Sequence, residues 1–223
     1  MVQTIRTSRP LSEHTVYTRS HIESTSRTDR LQRPIGRAHG RYKTTLRWCN
    51  LSNPVYVAYH DAEWAVPSHD DHHLFEMLVL ETFQAGLSWE TILNKRKRFR
   101  QAFDGFDIER IRRYDENKIA ELMNDPGIIR NRRKIVATVG NANAFRDIQT
   151  SYGSFDDYIW RFTGRHGHLT RQAMTTSPLS DAIAVDLKTY GMRFIGTTIV
   201  YAYLQSIGVI NAHEPGCFLH RER

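Results

Sequence analysis

Apolar side chains recur every three or four residues along much of the chain, which is the spacing of an amphipathic helix. In residues 72–83, HHLFEMLVLETF, positions Leu74, Met77 and Glu81 fall on one helical face. A second helix is predicted over residues 90–103, in which apolar positions alternate with a Lys/Arg face. The short string GLSW lies between them. The pattern therefore predicts two consecutive helices joined by a turn.

The same spacing predicts six further helices. They cover residues 107–114, 116–124, 130–148, 154–162, 177–191 and 196–208, and the last is so apolar that it should be buried. Ser154 is the predicted N-cap of one helix, with Asp157 three positions on, and Ser180 that of the next, which Gly191 closes. The sequence shows no strand hairpin and no internal repeat. The predicted fold class is all-α.

The N-terminal part has a different composition. Residues 1–45 are rich in Ser, Thr and Arg, poor in acids and without apolar periodicity, which predicts a disordered basic arm. A transit peptide or an over-long start of translation would have the same composition. We expect one folded domain over residues 46–217 and a short tail over 218–223.

The net charge and the cysteine content limit the classes of function that the sequence supports. The 223 residues carry a net charge of +7, with a sequence pI near 9.6. That charge favours a polyanionic partner, nucleic acid before a membrane surface. No apolar run of about 18 residues and no signal-like N-terminus is found, so we expect no membrane span and an intracellular, cytoplasmic location. There the two cysteines, Cys49 and Cys217, suit thiol or metal-ligand roles better than a disulfide.

The stretch KIAELMNDPGIIRNRRKIVATV predicts two helices with a sharp turn between them. Gly127, with the proline before it, breaks the helical pattern, and Ile128 follows in the turn. Backbone N–H groups of such a turn and of the following helix can bind a phosphate, and Arg130, Arg132 and Lys134 would add positive charge. An ordinary helical hairpin with a solvated basic face explains the pattern equally well.

Glu81 is a carboxylate on a core-facing position, which is costly unless it has a partner or a ligand. A structural ion pair is the commoner fate of such a residue. Nearby segments supply the aromatic residues Tyr56, Tyr59, Trp64 and Trp89. Rings around one hydrogen-bonding carboxylate could hold a flat, electron-poor ring such as an unstacked nucleobase. Any single one of these rings could instead belong to the core.

The string INAHEPGC contains His213 and Cys217, which have the type and spacing of half a zinc site. Cys49 and His60 could supply the other half and tie the two ends of the domain together. A packed thiol beside an unrelated histidine is an equally good explanation, because the chain has eleven histidines.

These segments also occur in a characteristic order: PVYVAYHDAEWAVP, LFEMLVLETFQAGLSWETILNKR, DPGIIRNRRKIVATVGNA, SDAIAVDLKTYGMRFIGTTIVYAYLQSIG and NAHEPGC. Together they resemble the bacterial 3-methyladenine DNA glycosylase I family over residues 47–217, and YHDAEW followed by QAGLSW is the most specific part. The resemblance implies a helix-hairpin-helix glycosylase bundle in which one structural zinc ion joins the N- and C-terminal parts of the domain.

The resemblance also implies residue roles. Glu81 corresponds to the base-recognising glutamate, Trp89 to the tryptophan that stacks on the base, and Tyr59, with Trp64, to the pocket wall. Gly86 and Leu87 correspond to the loop that enters the DNA where the nucleotide is extruded. The DPGII turn corresponds to the hairpin, without the lyase lysine or catalytic aspartate of related families.

Three implied zinc ligands are His60, His213 and Cys217, but the fourth departs from the family pattern. Without gaps, the family's first cysteine aligns with Arg47, and Cys49 lies two residues later. Either a short deletion lets Cys49 serve as the ligand, or that ligand is lost and Cys49 takes the place of a pocket residue. The first interpretation supplies four ligands and is the prediction.

The implied activity is hydrolysis of the N-glycosidic bond of N3-alkylated adenine in double-stranded DNA, a base-excision repair reaction that leaves an abasic site. The protein is expected to act as a monomer on DNA in the bacterial nucleoid. Two other classes stay open: a non-catalytic zinc-containing helix-hairpin-helix protein that only binds DNA, and a zinc-stabilised helical interaction domain.

Overall fold

The structure is a computed structural model that describes residues 49–164, 168–169 and 174–220. Nine α-helices follow one another in these ranges: α1 (Pro54–Ala62), α2 (Asp71–Gln84), α3 (Trp89–Ala102), α4 (Ile108–Ile111), α5 (Glu116–Asn124), α6 (Arg132–Tyr152), α7 (Phe155–Trp160), α8 (Pro178–Thr189) and α9 (Thr197–Ser206). The predicted basic arm, residues 1–45, lies outside the described residues.

Extended structure in the described ranges is limited to one short pair. Strand β1 (His168–Leu169) pairs in parallel with β2 (Ile210–Asn211). The remaining elements are helices, two 3-10 turns and loops, which confirms the predicted helical fold class. Among the described helices, none has both the length and the apolar character that crossing a membrane requires.

Helix α2 lies at the centre of the core. Its residues 74–83 are all buried, and it contacts α3, α6, α7 and α9. Being covered on every side, it has more apolar positions than one amphipathic face provides. Two carboxylates, Glu76 and Glu81, are buried with it. Any polar atom of α2 must therefore find its partner on a neighbouring helix or in a ligand.

Capping residues fix where the helices begin. Ser154 accepts a hydrogen bond from the Asp157 N–H and caps α7 as predicted. The prediction of Ser180 as the next N-cap is wrong by three residues, because Ser177 caps α8 and Pro178 is its first residue. Ser180 instead completes a capping box: its Oγ accepts from the Ser177 N–H at 2.8 Å.

Most predicted helices agree with the structure to within a few residues, and two differences stand out. Helix α1 had no prediction, although Asn53 and Pro54 are strong signals for a helix start. The helix predicted over 107–114 is confined to α4 (Ile108–Ile111). It is short because the next segment must turn to begin α5, whose N-cap is Asp115.

Candidate active site

A cavity of about 290 Å³ is lined by residues of α1, α2, α3 and α9 together with three loops. Four predicted residues line it: Tyr59, Trp64, Glu81 and Trp89. Six more lining residues had no prediction: Gln84, Met174, Ala202, Gln205, Ala212 and Glu214. The volume is near the lower end of the range of about 300–1,000 Å³ that is usual for small-ligand sites. The cavity therefore suits one compact ring system.

Glu81 is the only ionisable group of helix α2 that lines this cavity among the described residues. Its side chain is 3% exposed, and its Oε2 accepts no hydrogen bond from any described residue. Burial raises the pKa of Glu81 from 4.5 to about 8. An ionised carboxylate in this position is stabilised when a ligand brings hydrogen-bond donors or positive charge.

Aromatic rings form the walls around this carboxyl group. The Tyr59 and Trp89 ring centroids are 5.3 Å apart, with the planes inclined at 47°. Trp89 is the first residue of α3, and its buried Nε1 has no acceptor among the described residues. The cavity therefore combines one unsatisfied acceptor, one unsatisfied donor and aromatic faces. A flat heterocycle that both donates and accepts hydrogen bonds matches this combination.

Tyr56 is the one predicted base-binding residue that does not line the cavity. It lies one turn before Tyr59 on α1, which displaces it by about 4.5 Å along the helix axis. Burial and the nearby charges of Cys49 and Glu90 raise the pKa of Tyr56. Tyr56 is therefore buried close to the cavity without lining it, and its contact with a base stays a prediction.

Three of the six cavity residues without a prediction lie on helices. Gln84 follows Glu81 by three positions on the same helix, so helical spacing alone could have identified it. Ala202 and Gln205 lie three positions apart on α9. Nothing in their local sequence marks them, because the packing of α9 against α2 decides that they line the cavity.

The turn between α2 and α3 presents an apolar side chain. Gly86 has φ +83°, a left-handed conformation that favours glycine. The next residue, Leu87, is 41% exposed. Ser88 then caps α3 by accepting a hydrogen bond from the Thr91 N–H at 3.2 Å. Trp89 follows at once, so the exposed leucine and the cavity wall are only two residues apart.

The turn between α5 and α6 is fixed by side chains. Asp125 accepts a hydrogen bond from the Gly127 N–H at 2.7 Å and pairs with Arg98 at 2.9 Å. Lys95 donates to the Pro126 carbonyl at 3.1 Å. The Gly127 N–H is therefore already used. Ile128 is 3% exposed, and its N–H donates to the Asp125 carbonyl at 3.4 Å. Both predicted DNA contacts are corrected, because these residues build the turn.

Donors for an anion occur a few residues later. The N–H groups of Ile129, Arg130, Arg132 and Arg133 have no acceptor among the described residues. They lie at the N-terminus of α6, a helix of 21 residues, where the N–H groups and the helix dipole favour negative charge. The side chains of Arg130 and Arg132 are exposed beside them. This end of the hairpin can therefore bind a phosphate.

Lys134 does not belong to that exposed set, and its predicted contact with DNA is wrong. Only 5% of the residue is exposed. Its Nζ donates to the carbonyls of Phe83 at 2.8 Å and Ala85 at 2.6 Å. Successive residues of a helix point in different directions. The two residues before Lys134 are exposed, whereas Lys134, the third residue of α6, faces the protein and contacts the end of α2.

Three of the four predicted metal ligands lie together. His60, His213 and Cys217 are buried, with possible ligand atoms all within 4.8 Å of one another. The distance from Cys217 Sγ to His60 Nε2 is 3.8 Å, close to the roughly 3.6 Å that two ligands of a tetrahedral zinc ion would have. Asp61 and Asn211 contact Nδ1 of the two histidines at 2.8 Å each. Such contacts orient metal-binding imidazoles.

Cys49 is not a member of this cluster. It is buried just before α1, and its charge contributes to the raised pKa of Tyr56. The described residues therefore bring three of the four predicted zinc ligands together, and Cys49 as the fourth ligand stays a prediction.

Comparison with known proteins identifies the family. A model of the methyladenine glycosylase family matches residues 48–220. DNA-3-methyladenine glycosylase 1 of Escherichia coli strain K12 is 41% identical over 170 residues, which cover 74% of this chain and 91% of that protein. A crystal structure of 3-methyladenine DNA glycosylase I covers 79% of this chain and 100% of its own, with 42% identity and a TM-score of 0.76. A variant of such an enzyme in complex with 3-methyladenine is 33% identical, with a TM-score of 0.73, and covers 74% of this chain and 92% of its own. The chain therefore belongs to the methyladenine glycosylase family.

Proposed function

We propose that this glycosylase hydrolyses the N-glycosidic bond of 3-methyladenine in double-stranded DNA, leaves an abasic site, and binds the base in the cavity around Glu81. One observation carries the proposal: Glu81 is buried, and its Oε2 accepts no hydrogen bond from any described residue, in a cavity walled by Tyr59 and Trp89. An apolar core does not retain such a carboxyl group for stability, because it costs free energy in the empty protein.

The chemistry of the substrate matches this carboxyl group. Methylation at N3 places a positive charge on the base, so the glycosidic bond is weakened and the leaving group needs no protonation. Glu81 accepts hydrogen bonds from the base edge and stabilises its positive charge. Tyr59 and Trp89 stack on the base. A dedicated catalytic aspartate is then unnecessary, and Glu81 acts by binding the cationic base.

Two surfaces bring the nucleotide to the cavity. The α5–α6 turn acts as a helix-hairpin-helix motif, in which the N–H groups of Ile129, Arg130, Arg132 and Arg133 hold a phosphate. Leu87, exposed on the turn that ends at Trp89, enters the base stack and supports the extruded nucleotide. The cavity, the hairpin and this turn belong to a single chain, so the reaction requires no second copy.

Base release from methylated duplex DNA tests the proposal. Glu81→Gln should lower single-turnover excision about 100- to 1,000-fold, because it removes the charge that stabilises the cationic base. DNA affinity should change little, since the hairpin supplies the phosphate contacts. Glu109→Gln, on an exposed carboxylate of α4, is the matched control and should excise normally.

The same assay separates the other two classes. A protein that only binds DNA would show salt-dependent affinity without base release. A helical interaction domain would show neither property. Equal losses of excision and DNA binding in Glu81→Gln would also count against the proposed role of Glu81.

The structural zinc ion, one per chain, is held by His60, His213 and Cys217, so it ties α1 to the C-terminal segment next to Trp64. The His213 and Trp64 ring centroids are 4.5 Å apart, which links the centre to the cavity wall. Metal analysis should find about one zinc per chain. Cys217→Ser should remove most of it, and Cys49→Ser should also lower the zinc content, because Cys49 is the predicted fourth ligand. Full zinc content in Cys49→Ser would show that this ligand position is lost.

A further inference from the structure

Lys134 joins two parts of the molecule that the proposed reaction must coordinate. It is the third residue of α6, and its own N–H donates to the Asn131 side chain that caps this helix. Its Nζ reaches across to the Phe83 and Ala85 carbonyls at the end of α2. One residue thus connects the start of the helix that holds the phosphate to the last turn of the helix that carries Glu81.

Electrostatics explain why a lysine is suitable there. The last carbonyls of a helix lack partners within that helix and carry partial negative charge. An ammonium group satisfies two of them, while burial lowers the pKa of Lys134. No described carboxylate pairs with this ammonium group. An apolar residue would therefore leave two carbonyls at the end of α2 without their donor.

The carbonyls in question directly precede the turn that carries Leu87. Ala85 is the C-terminal cap of α2, and Gly86 follows it. On the other side of the hairpin, Lys95 of α3 donates to the Pro126 and Gly127 carbonyls at 3.1 and 3.3 Å. Lys134 of α6 thus contacts the start of the α2–α3 turn, and Lys95 of α3 contacts the α5–α6 turn.

We infer that Lys134 is a positioning residue for base extrusion, which sets the place of the Gly86–Leu87 turn relative to the phosphate held at α6. The inference rests on the proposed function. Lys134 does not contact the base or the reacting atoms. It acts through the turn, so that Leu87 enters the stack at a fixed distance from the bound phosphate. Small displacements of this kind are costly, because a shift of about 1 Å can lower a rate about 100-fold.

The test compares Lys134→Met with Lys188→Met, which removes an exposed lysine of α8. Excision is measured on 3-methyladenine paired with thymine and on the same lesion in a single-nucleotide bulge, where unstacking is already favourable. Binding of free 3-methyladenine, followed by tryptophan fluorescence, gives the fraction of protein with an intact pocket, and rates are expressed per intact pocket.

Lys134→Met should excise the paired lesion about 10- to 100-fold more slowly than the wild type. It should lose less than about threefold on the bulge, with free-base binding unchanged. Lys188→Met should match the wild type on both substrates. If Lys134→Met does not fold, Lys134→Arg takes its place and should show the same selective loss, smaller in size, because an arginine keeps the charge with a different reach.

Equal losses on the paired and bulged substrates, or no loss on either, would overturn the inference. Failure of the wild type to release base from either substrate would instead overturn the proposed function, so the two failures are distinguishable.

Discussion

Glu76 and Glu81 lie five residues apart on α2 and are equally buried, at 3% exposure each, yet their surroundings differ completely. Glu76 accepts hydrogen bonds from Arg96 at 2.8 Å and Arg100 at 2.6 Å. Glu81 Oε2 accepts none from any described residue. Helix α2 therefore contains one carboxylate paired within the protein and one left for a ligand.

The surroundings of Glu76 form a network that reaches α1. Arg96 also pairs with Glu63 at 2.7 Å, and Glu63 contacts His73 at 3.0 Å. Burial alone would raise the pKa of Glu76, but hydrogen bonds from Arg100 and Arg96 lower it below 4.5. At Glu81 burial acts without such partners and raises the pKa to about 8.

The contrast shows what distinguishes a structural buried charge from a functional one. Burial is the same in both, so exposure alone identifies neither. The distinguishing feature is whether the fold supplies the opposite charge. Where the fold supplies an opposite charge, the carboxyl group is ionised and its ion pairs hold helices together. Where the fold supplies none, the carboxyl group gains that pairing energy only when a ligand binds.

The same substitution at the two positions should have opposite effects on stability, and the larger change at pH 7 is expected at Glu76. Glu76→Gln should lower the free energy of unfolding by about 3–5 kcal/mol, because it leaves the buried Arg96 without one of its carboxylates. Urea unfolding at pH 7 measures the change. Excision per folded molecule should stay close to that of the wild type; a selective loss of excision would show that this network also belongs to the active site.

Glu81→Gln should stabilise the empty protein in alkaline solution. The folded carboxyl group stays protonated up to about pH 8, whereas in the unfolded chain it ionises above 4.5. The folded state therefore binds the extra proton, and wild-type stability falls as the pH rises between these values. Relative to the wild type, the variant should gain about 4 kcal/mol between pH 4.5 and pH 8. Urea unfolding at both pH values measures this gain, and a constant difference would mean that Glu81 has a partner in the empty protein.

Ionisation of Glu81 should also change the rate of base release, and this is the smallest of the three predicted effects. The carboxylate is the form that stabilises the cationic base, and in the free enzyme it forms only as the pH approaches 8. We expect kcat/KM to rise up to about tenfold per pH unit between pH 5.5 and 7, about 1.4 kcal/mol per unit, and to level off near pH 8. Base release at constant ionic strength measures it. The residual activity of Glu81→Gln should not follow this rise; parallel profiles would assign the titration to another group.

Much of the fold follows from local sequence. Apolar spacing predicted α2, α3, α5, α6 and α9, because the helical repeat is a local property of the chain. Capping signals were less reliable: Ser180 was the predicted N-cap and Ser177 is the observed one, since two serines three residues apart both fit a helix start. Helix α1 had no prediction from apolar spacing, and the signals that mark its start are Asn53 and Pro54.

The site was predicted in outline. Glu81 with Tyr59, Trp64 and Trp89, and His60 with His213 and Cys217, are brought together as their motifs indicated. Lys134 was misplaced. Sequence spacing gives the order of such residues along the chain but not the direction in which a side chain points, and the Lys134 side chain contacts the end of α2 and not the solvent-facing surface.

The sequence alone thus determined the helices, the family pattern and the presence of a carboxylate on the buried side of α2. Tertiary structure alone decided which buried carboxylate is paired and which is not. Arg96 reaches Glu76 from 20 positions away, and Lys134 reaches Phe83 from 51 positions away. Such partners are set by helix packing over long sequence separations, and no local pattern records whether a buried polar atom has met one.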